Sequence, residues 1–174
     1  AFTATAISDW RDRNLPTIGT AVPPRNFHIT LAFLGEQKDS VLPRLYQSVD
    51  EWLAHSPVNR STMVLDCVGY WPKPGIFWLG PTGWPNSLGG LATKLNHLGM
   101  RNGASRDRNP FRPHVTLFRR CQTPPKPDAP PRIAFPYEHF ALFESRQGKQ
   151  GVSYHSLCEW DLAMEEDNPE KHFQ

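Results

Sequence analysis

Two short stretches of this 174-residue chain share a pattern that could do chemistry: Phe27-His28-Ile29-Thr30-Leu31 and Pro113-His114-Val115-Thr116-Leu117. In each, a histidine and a threonine flank a β-branched apolar residue, and a leucine follows. Imidazole gives or takes a proton near neutral pH, and a threonine hydroxyl hydrogen-bonds anionic oxygens. One such pair is a weak signal, because a lone His-x-Thr is more often the solvated face of a strand than a site. Two pairs that also share the β-branched residue and the leucine are a much stronger one. Facing each other, they supply two imidazoles and two hydroxyls. That set suits in-line displacement at phosphorus: one imidazole takes a proton from the attacking oxygen while the other gives one to the departing oxygen.

Side chains alternate along a β-strand, so each motif read as a strand puts its histidine and threonine on one face. Over Asn26 to Leu34, His28, Thr30 and Ala32 line one face, and Phe27, Ile29, Leu31 and Phe33 form a buried stripe that ends at Gly35. Val115 and Leu117 do the same for the second motif. The two histidines are 114 − 28 = 86 residues apart, close to half the chain.

The remaining elements read as their supports. Ala1-Phe2 reads as the tail of a strand whose beginning precedes the numbering. A short helix capped by Ser8 runs to Asn14, and Leu15 to Pro24 is a loop. A helix capped by Asp39 or Ser40 runs to about His55, with Val41, Leu45, Val49, Trp52 and Leu53 at helical spacing. Thr62 to Trp71 and Gly75 to Gly80 are strands joined at Pro72-Lys73-Pro74, where Trp71 and Trp78 are core aromatics rather than a base platform. Leu88, Leu91, Leu95 and Leu98 mark a helix from Ser87 to Leu98 with Gly99 as its stop. Gln122 to Arg132 holds five prolines and reads as a linker. Strands at about Phe135 to Ser145 and Val152 to Leu162 close the fold. Hairpins with only two long helices predict an α+β protein: a single bilobal domain over 1–174, pseudo-two-fold, with two mostly antiparallel sheets facing across a cleft and helices outside.

Composition fits a soluble domain with a substantial core, at 39% hydrophobic and 11% aromatic residues. No apolar run approaches a membrane span and no signal peptide is visible. Cys67, Cys121 and Cys158 are odd in number and lack metal-ligand spacing, which favours reduced thiols and the cytoplasm. The net charge of +2 is small, but its distribution is uneven. Arg101, Arg106, Arg108, Arg112, Arg119 and Arg120 crowd the second motif with only Asp107 among them, while the chain from about 164 to 174 is an acidic tail. A basic run beside a candidate phosphate site points to RNA or a nucleotide.

These residues carry a resemblance. The chain resembles the two-histidine (2H) phosphoesterases, and within them the bacterial RNA 2',3'-cyclic phosphodiesterases historically called 2'-5' RNA ligases. The likeness lies in His28-Ile29-Thr30-Leu31 with Ala32-Phe33-Leu34-Gly35-Glu36, in Pro113-His114-Val115-Thr116-Leu117 with Arg119, in Leu142-Phe143-Glu144-Ser145, and in the closing Tyr154, Leu157, Trp160 and Leu162. It departs at the start, where the family's opening hydrophobic strand is reduced to Ala1-Phe2. The resemblance implies opening of a terminal 2',3'-cyclic phosphate on RNA or a nucleotide to a 2'-phosphate, without metal or cofactor, and extends to reversible 2'-5' RNA ligation. It implies His28 and His114 as catalytic residues and Thr30, Thr116 and Arg119 as phosphate contacts; a monomer is the default expectation for the chain. Strict strand alternation instead puts Arg120 on the face of His114, so that Arg119 requires a bulge or the strand's end to re-aim the chain.

Two other classes compete. A metal hydrolase uses histidines, but neither pair here has Asp, Glu or Cys at ligand spacing. A non-catalytic RNA-end-binding module would use the same basic loop. Turnover of a 2',3'-cyclic nucleotide in chelator separates all three. Between the histidines, the arginines around His114 disfavour its imidazolium, which makes His114 the general base and His28 the general acid.

Overall fold

The strand that carries the second motif, β5 (Val115–Arg119), lies inside a four-stranded sheet ordered β1-β5-β4-β3, with β1 Thr20–Ala21, β3 Cys67–Trp71 and β4 Ile76–Gly80. Two further ladders pair β2 (Ser61–Leu65) with β6 (Ile133–Tyr137), and β7 (His139–Gly148) with β8 (Gly151–Asp161). Every one of these pairings is antiparallel. Three α-helices accompany them, α1 Phe2–Asn14, α2 Leu42–His55 and α3 Asn86–Arg101. The chain is therefore α+β. This is a computed structural model in which residues 2–105, 109–149 and 151–164 are described; Ala1, Arg106, Asp107, Arg108 and all but the first residue of the acidic tail lie outside them.

Burial divides into two cores. The first gathers Ile7 of α1, Met63 and Leu65 of β2, Phe77 and Leu79 of β4, and Val115, Leu117 and Phe118 of β5. Leu65, Leu79, Val115 and Leu117 are wholly shielded, and each buried aliphatic side chain of this kind stabilises the fold by about 1.5–3 kcal/mol. The second core joins Leu45 and Val49 of α2 to Leu91 and Leu98 of α3, Phe140 of β7, and Leu162. Trp160 stacks on Phe140 at 5.2 Å and donates its indole N–H to Asp50 of α2 at 2.7 Å, which ties β8 to that helix. Leu31 of the first motif packs against both cores. The first motif thus crosses the seam between them, while the second is built into one.

The first motif lies outside every ladder. Phe27, Ile29 and Leu31 do pack inward, yet Phe33, expected in the same stripe, is 68% exposed. Alternating apolar residues report a buried face, which a segment resting on a core satisfies without strand neighbours.

Other boundaries move for physical reasons. Phe2 opens α1 instead of ending a strand: Ala4 and Ala6 favour helix, and Ile7, Trp10 and Arg11 recur at helical spacing on the buried face. Ser8 lies inside that helix, donating its hydroxyl to the Thr5 carbonyl at 3.0 Å, and is not its cap. Asp39 and Ser40 form a 3-10 turn, Asp39–Val41, leading into α2 without a side-chain capping bond. The strand expected from Thr62 to Trp71 breaks at Asp66, whose N–H donates to Gly80 and whose carboxylate takes the N–H and hydroxyl of Thr82. Its halves join different sheets. Glu138 likewise separates β6 from β7 in the strand expected over Phe135 to Ser145. Gly99 sits buried within α3, where an added Cβ would lie 2.5 Å from the Leu34 side chain. The left-handed residue that ends the helix is Gly103, at φ 102°.

Candidate active site

Each histidine is anchored in the same way. Nδ1 of His28 lies 2.7 Å from the carbonyl oxygen of Asn26, and Nδ1 of His114 lies 2.8 Å from that of Arg112. A carbonyl only accepts, so Nδ1 carries the proton in both rings and Nε2 is left to take or give one. Each ring also has an aromatic neighbour 4.6 Å away, Tyr154 of β8 for His28 and Trp71 of β3 for His114.

The first anchor begins at the 3-10 turn Pro24–Asn26, which closes with Phe27 N–H donating to Pro24 at 3.1 Å. The Asn26 side chain donates to the Val152 carbonyl of β8 at 2.9 Å, so His28 is held against the same strand that supplies Tyr154. The second anchor rests on Trp78, which is 3% exposed and pairs with Thr116 across the ladder. The Arg112 guanidinium stacks on the Trp78 ring at 4.6 Å, and Trp71 lies 5.3 Å from it. Arg112 therefore holds His114 through its carbonyl while its charge sits on an aromatic face.

Burial is the first cause that keeps the His114 imidazole below the usual histidine range, and the charges of His28, Arg112 and Arg119 push the same way; the bond to the Arg112 carbonyl opposes them. The two motifs therefore come within electrostatic reach of each other, with Arg119 in the same group.

β5 carries a bulge just before Arg119. Trp78 pairs with Thr116 and Phe77 with Phe118, which leaves Leu117 without a partner on β4. Leu117 and Phe118 both point into the core, at 0% and 3% exposure, so alternation restarts one residue late and Arg119 shares the side of Thr116. Arg120 follows in a left-handed conformation at φ 58°, where the strand ends. Thr116 is half-buried and Thr30 is exposed.

The anchoring carbonyls carry no sequence signal, since any residue supplies one. Tyr154 appears in the sequence only through the family likeness, and Trp71 as core; their places against the two imidazoles are set by β8 and β3, which carry them. Among the described residues no group of three or more His, Cys, Asp or Glu could hold a metal ion, and no helix is long and apolar enough to cross a membrane.

A family model described as LigT like Phosphoesterase matches residues 7–78. The RNA 2',3'-cyclic phosphodiesterase of Escherichia coli (strain K12) is 32% identical over 165 residues, covering 91% of this chain and 89% of that protein. The protein of that name from Thermus thermophilus is 33% identical over 156 residues, 83% of this chain and 76% of its own. Among solved structures, E. coli LigT complexed with 3'-AMP superposes with a TM-score of 0.81 at 28% identity, over 94% of this chain and 92% of that one. The chain belongs to the LigT-like phosphoesterase family.

Proposed function

We propose that this protein opens the terminal 2',3'-cyclic phosphate of an RNA or nucleotide to a 2'-phosphate, without metal, through its two His-x-Thr motifs. The observation that carries the reading is the matched pair of Nδ1-to-carbonyl anchors, which leaves each Nε2 to act on a proton. His114, the imidazole held below the usual range, takes the proton from water as its oxygen bonds to phosphorus. The P–O3' bond breaks, and His28 delivers its proton to the departing O3'. Thr30, Thr116 and Arg119 bond the non-bridging oxygens as charge gathers on them. Relatives named RNA 2',3'-cyclic phosphodiesterase, and E. coli LigT solved with 3'-AMP and with phosphate, support the substrate class.

An RNA hydroxyl in place of water would make the same site a 2'-5' ligase. The reading takes a monomer in the cytoplasm, in keeping with free thiols at Cys67, Cys121 and Cys158. Product analysis on a short oligonucleotide ending in a cyclic phosphate, in EDTA, tests it. Conversion to the 2'-phosphate is expected. Binding without turnover would favour the non-catalytic RNA-end module, and turnover lost to EDTA a metal hydrolase.

A further inference from the structure

Among the described residues one charged side chain is buried, Arg11 of α1, at 6% exposure. Stability alone does not call for a charge there, because a buried ion replaced by an apolar group of similar volume often leaves a fold as stable or more so. What the guanidinium touches is specific. Its Nη1 donates to the Val22 carbonyl at 2.6 Å, and its Nε pairs with Asp12 at 2.7 Å. Its carbon lies 5.6 Å from the ring centroids of both Phe27 and Phe118, so the fork is held between two aromatic faces.

Two of these contacts converge on one feature. Val22 N–H donates to the Leu117 carbonyl at 2.9 Å, extending the β1–β5 ladder by one residue. Leu117 and Phe118 are the two residues of the bulge that immediately precedes Arg119. Arg11 therefore grips the bulge from two sides, through Val22 at Leu117 and directly at the Phe118 ring. On the β4 side the bulged Leu117 has no ladder partner to fix it.

We propose that Arg11 is a positioning residue for the reaction: it holds the Leu117–Phe118 bulge in register and so aims the Arg119 guanidinium at the phosphate. The inference rests on the reading of Arg119 given above. An apolar side chain at position 11 would fill the space but would neither bond Val22 nor orient the Phe118 ring.

A double-mutant cycle in kcat on a 2',3'-cyclic nucleotide tests this, with Arg11→Met, Arg119→Ala and the double variant, each checked for folding by circular dichroism and Tm. Arg11→Met is expected to lower kcat roughly 10- to 100-fold, the loss that misplacing a catalytic group by about 1 Å produces. In the Arg119→Ala background the same change is expected to cost less than about threefold, because residues acting through one group are not additive. A purely structural Arg11 would move Tm in both backgrounds and leave the cycle additive, and losses that multiply would overturn the proposal. If Arg119→Ala alone keeps wild-type kcat, the reading of Arg119 fails first and the proposal with it. Should Arg11→Met not fold, Phe118→Leu loosens the bulge from the other side of the guanidinium, and the same cycle with Arg119→Ala decides.

Discussion

His114 donates its Nδ1–H to the carbonyl of Arg112 at 2.8 Å, two residues back along its own chain. Because the acceptor is backbone, the tautomer is set by how the chain enters β5. His28 repeats the relation with Asn26 at 2.7 Å, where the chain enters the first motif by a different route, a 3-10 turn. Two unlike approaches thus end in the same presentation of Nε2, and the site is organised by backbone carbonyls as much as by its motif residues.

If each imidazole moves one proton, His28→Ala and His114→Ala should each lose roughly 100- to 10,000-fold in turnover, the usual contribution of a general acid or base. Both rings are only half-buried, so both variants should melt close to wild type. Steady-state kinetics with Tm checks this; one variant retaining near wild-type turnover would dismiss the two-histidine mechanism.

The pH dependence has a definite sign. As the proposed base, His114 must be neutral to accept a proton, and its pKa is held below the ordinary histidine value, so the acidic limb of kcat/KM should fall below about pH 6.5. The Arg119 charge is one of the causes, so Arg119→Ala should move that limb to higher pH. The same depression makes the unfolded chain bind the proton more tightly. The stability His114 contributes is then present above the unfolded value and lost as pH falls toward the folded one. A limb that moves down in Arg119→Ala would contradict this electrostatic account.

The bulge at Leu117 shifts the alternation by one residue, which favours Arg119 over Arg120 on the side of Thr116. Arg119→Ala should therefore reduce kcat/KM by at least about tenfold, in line with loss of a charge-assisted hydrogen bond, and Arg120→Ala by much less. Kinetics of the two variants side by side is the check, and a larger defect in Arg120→Ala would mean that uninterrupted alternation describes the site better.

Trp78 lies flat across Gly69, where an added Cβ would stand 2.0 Å from its Cζ2. Gly69→Ala must displace the indole, at about 1–3 kcal/mol for overpacking, and should lower Tm by roughly 2 to 12 °C. Since Trp78 carries Arg112, turnover should fall as well. Calorimetry and tryptophan fluorescence measure it; an unshifted melt and emission would show the contact to be relaxed at no cost.

The candidate site was legible in the sequence because its histidines and threonines repeat, and the helix stripes were legible because Leu45, Val49, Leu88, Leu91 and Leu98 follow the 3.6-residue period. What the sequence hid was tertiary. Nothing in Phe27 to Leu34 tells whether the segment finds ladder partners or rests on side-chain packing. The split at Asp66 depends on Gly80 and Thr82, which are distant in the chain, and nothing in the sequence marks Arg11 as buried. The bulge before Arg119 was visible only as a conflict between alternation and family likeness, because Leu117 and Phe118 are both apolar and fit either face.

The division of labour between the histidines is the claim most exposed to direct test. A cyclic substrate with sulfur in place of the departing 3'-oxygen leaves as thiolate and needs little protonation, so it removes the demand on a general acid and keeps the demand on a base. Turnover of this substrate by His28→Ala and His114→Ala, each set against its turnover of the oxygen substrate, is the measurement. Much of the loss in His28→Ala should be restored and little of that in His114→Ala; rescue of His114→Ala alone would reverse the assignment of acid and base.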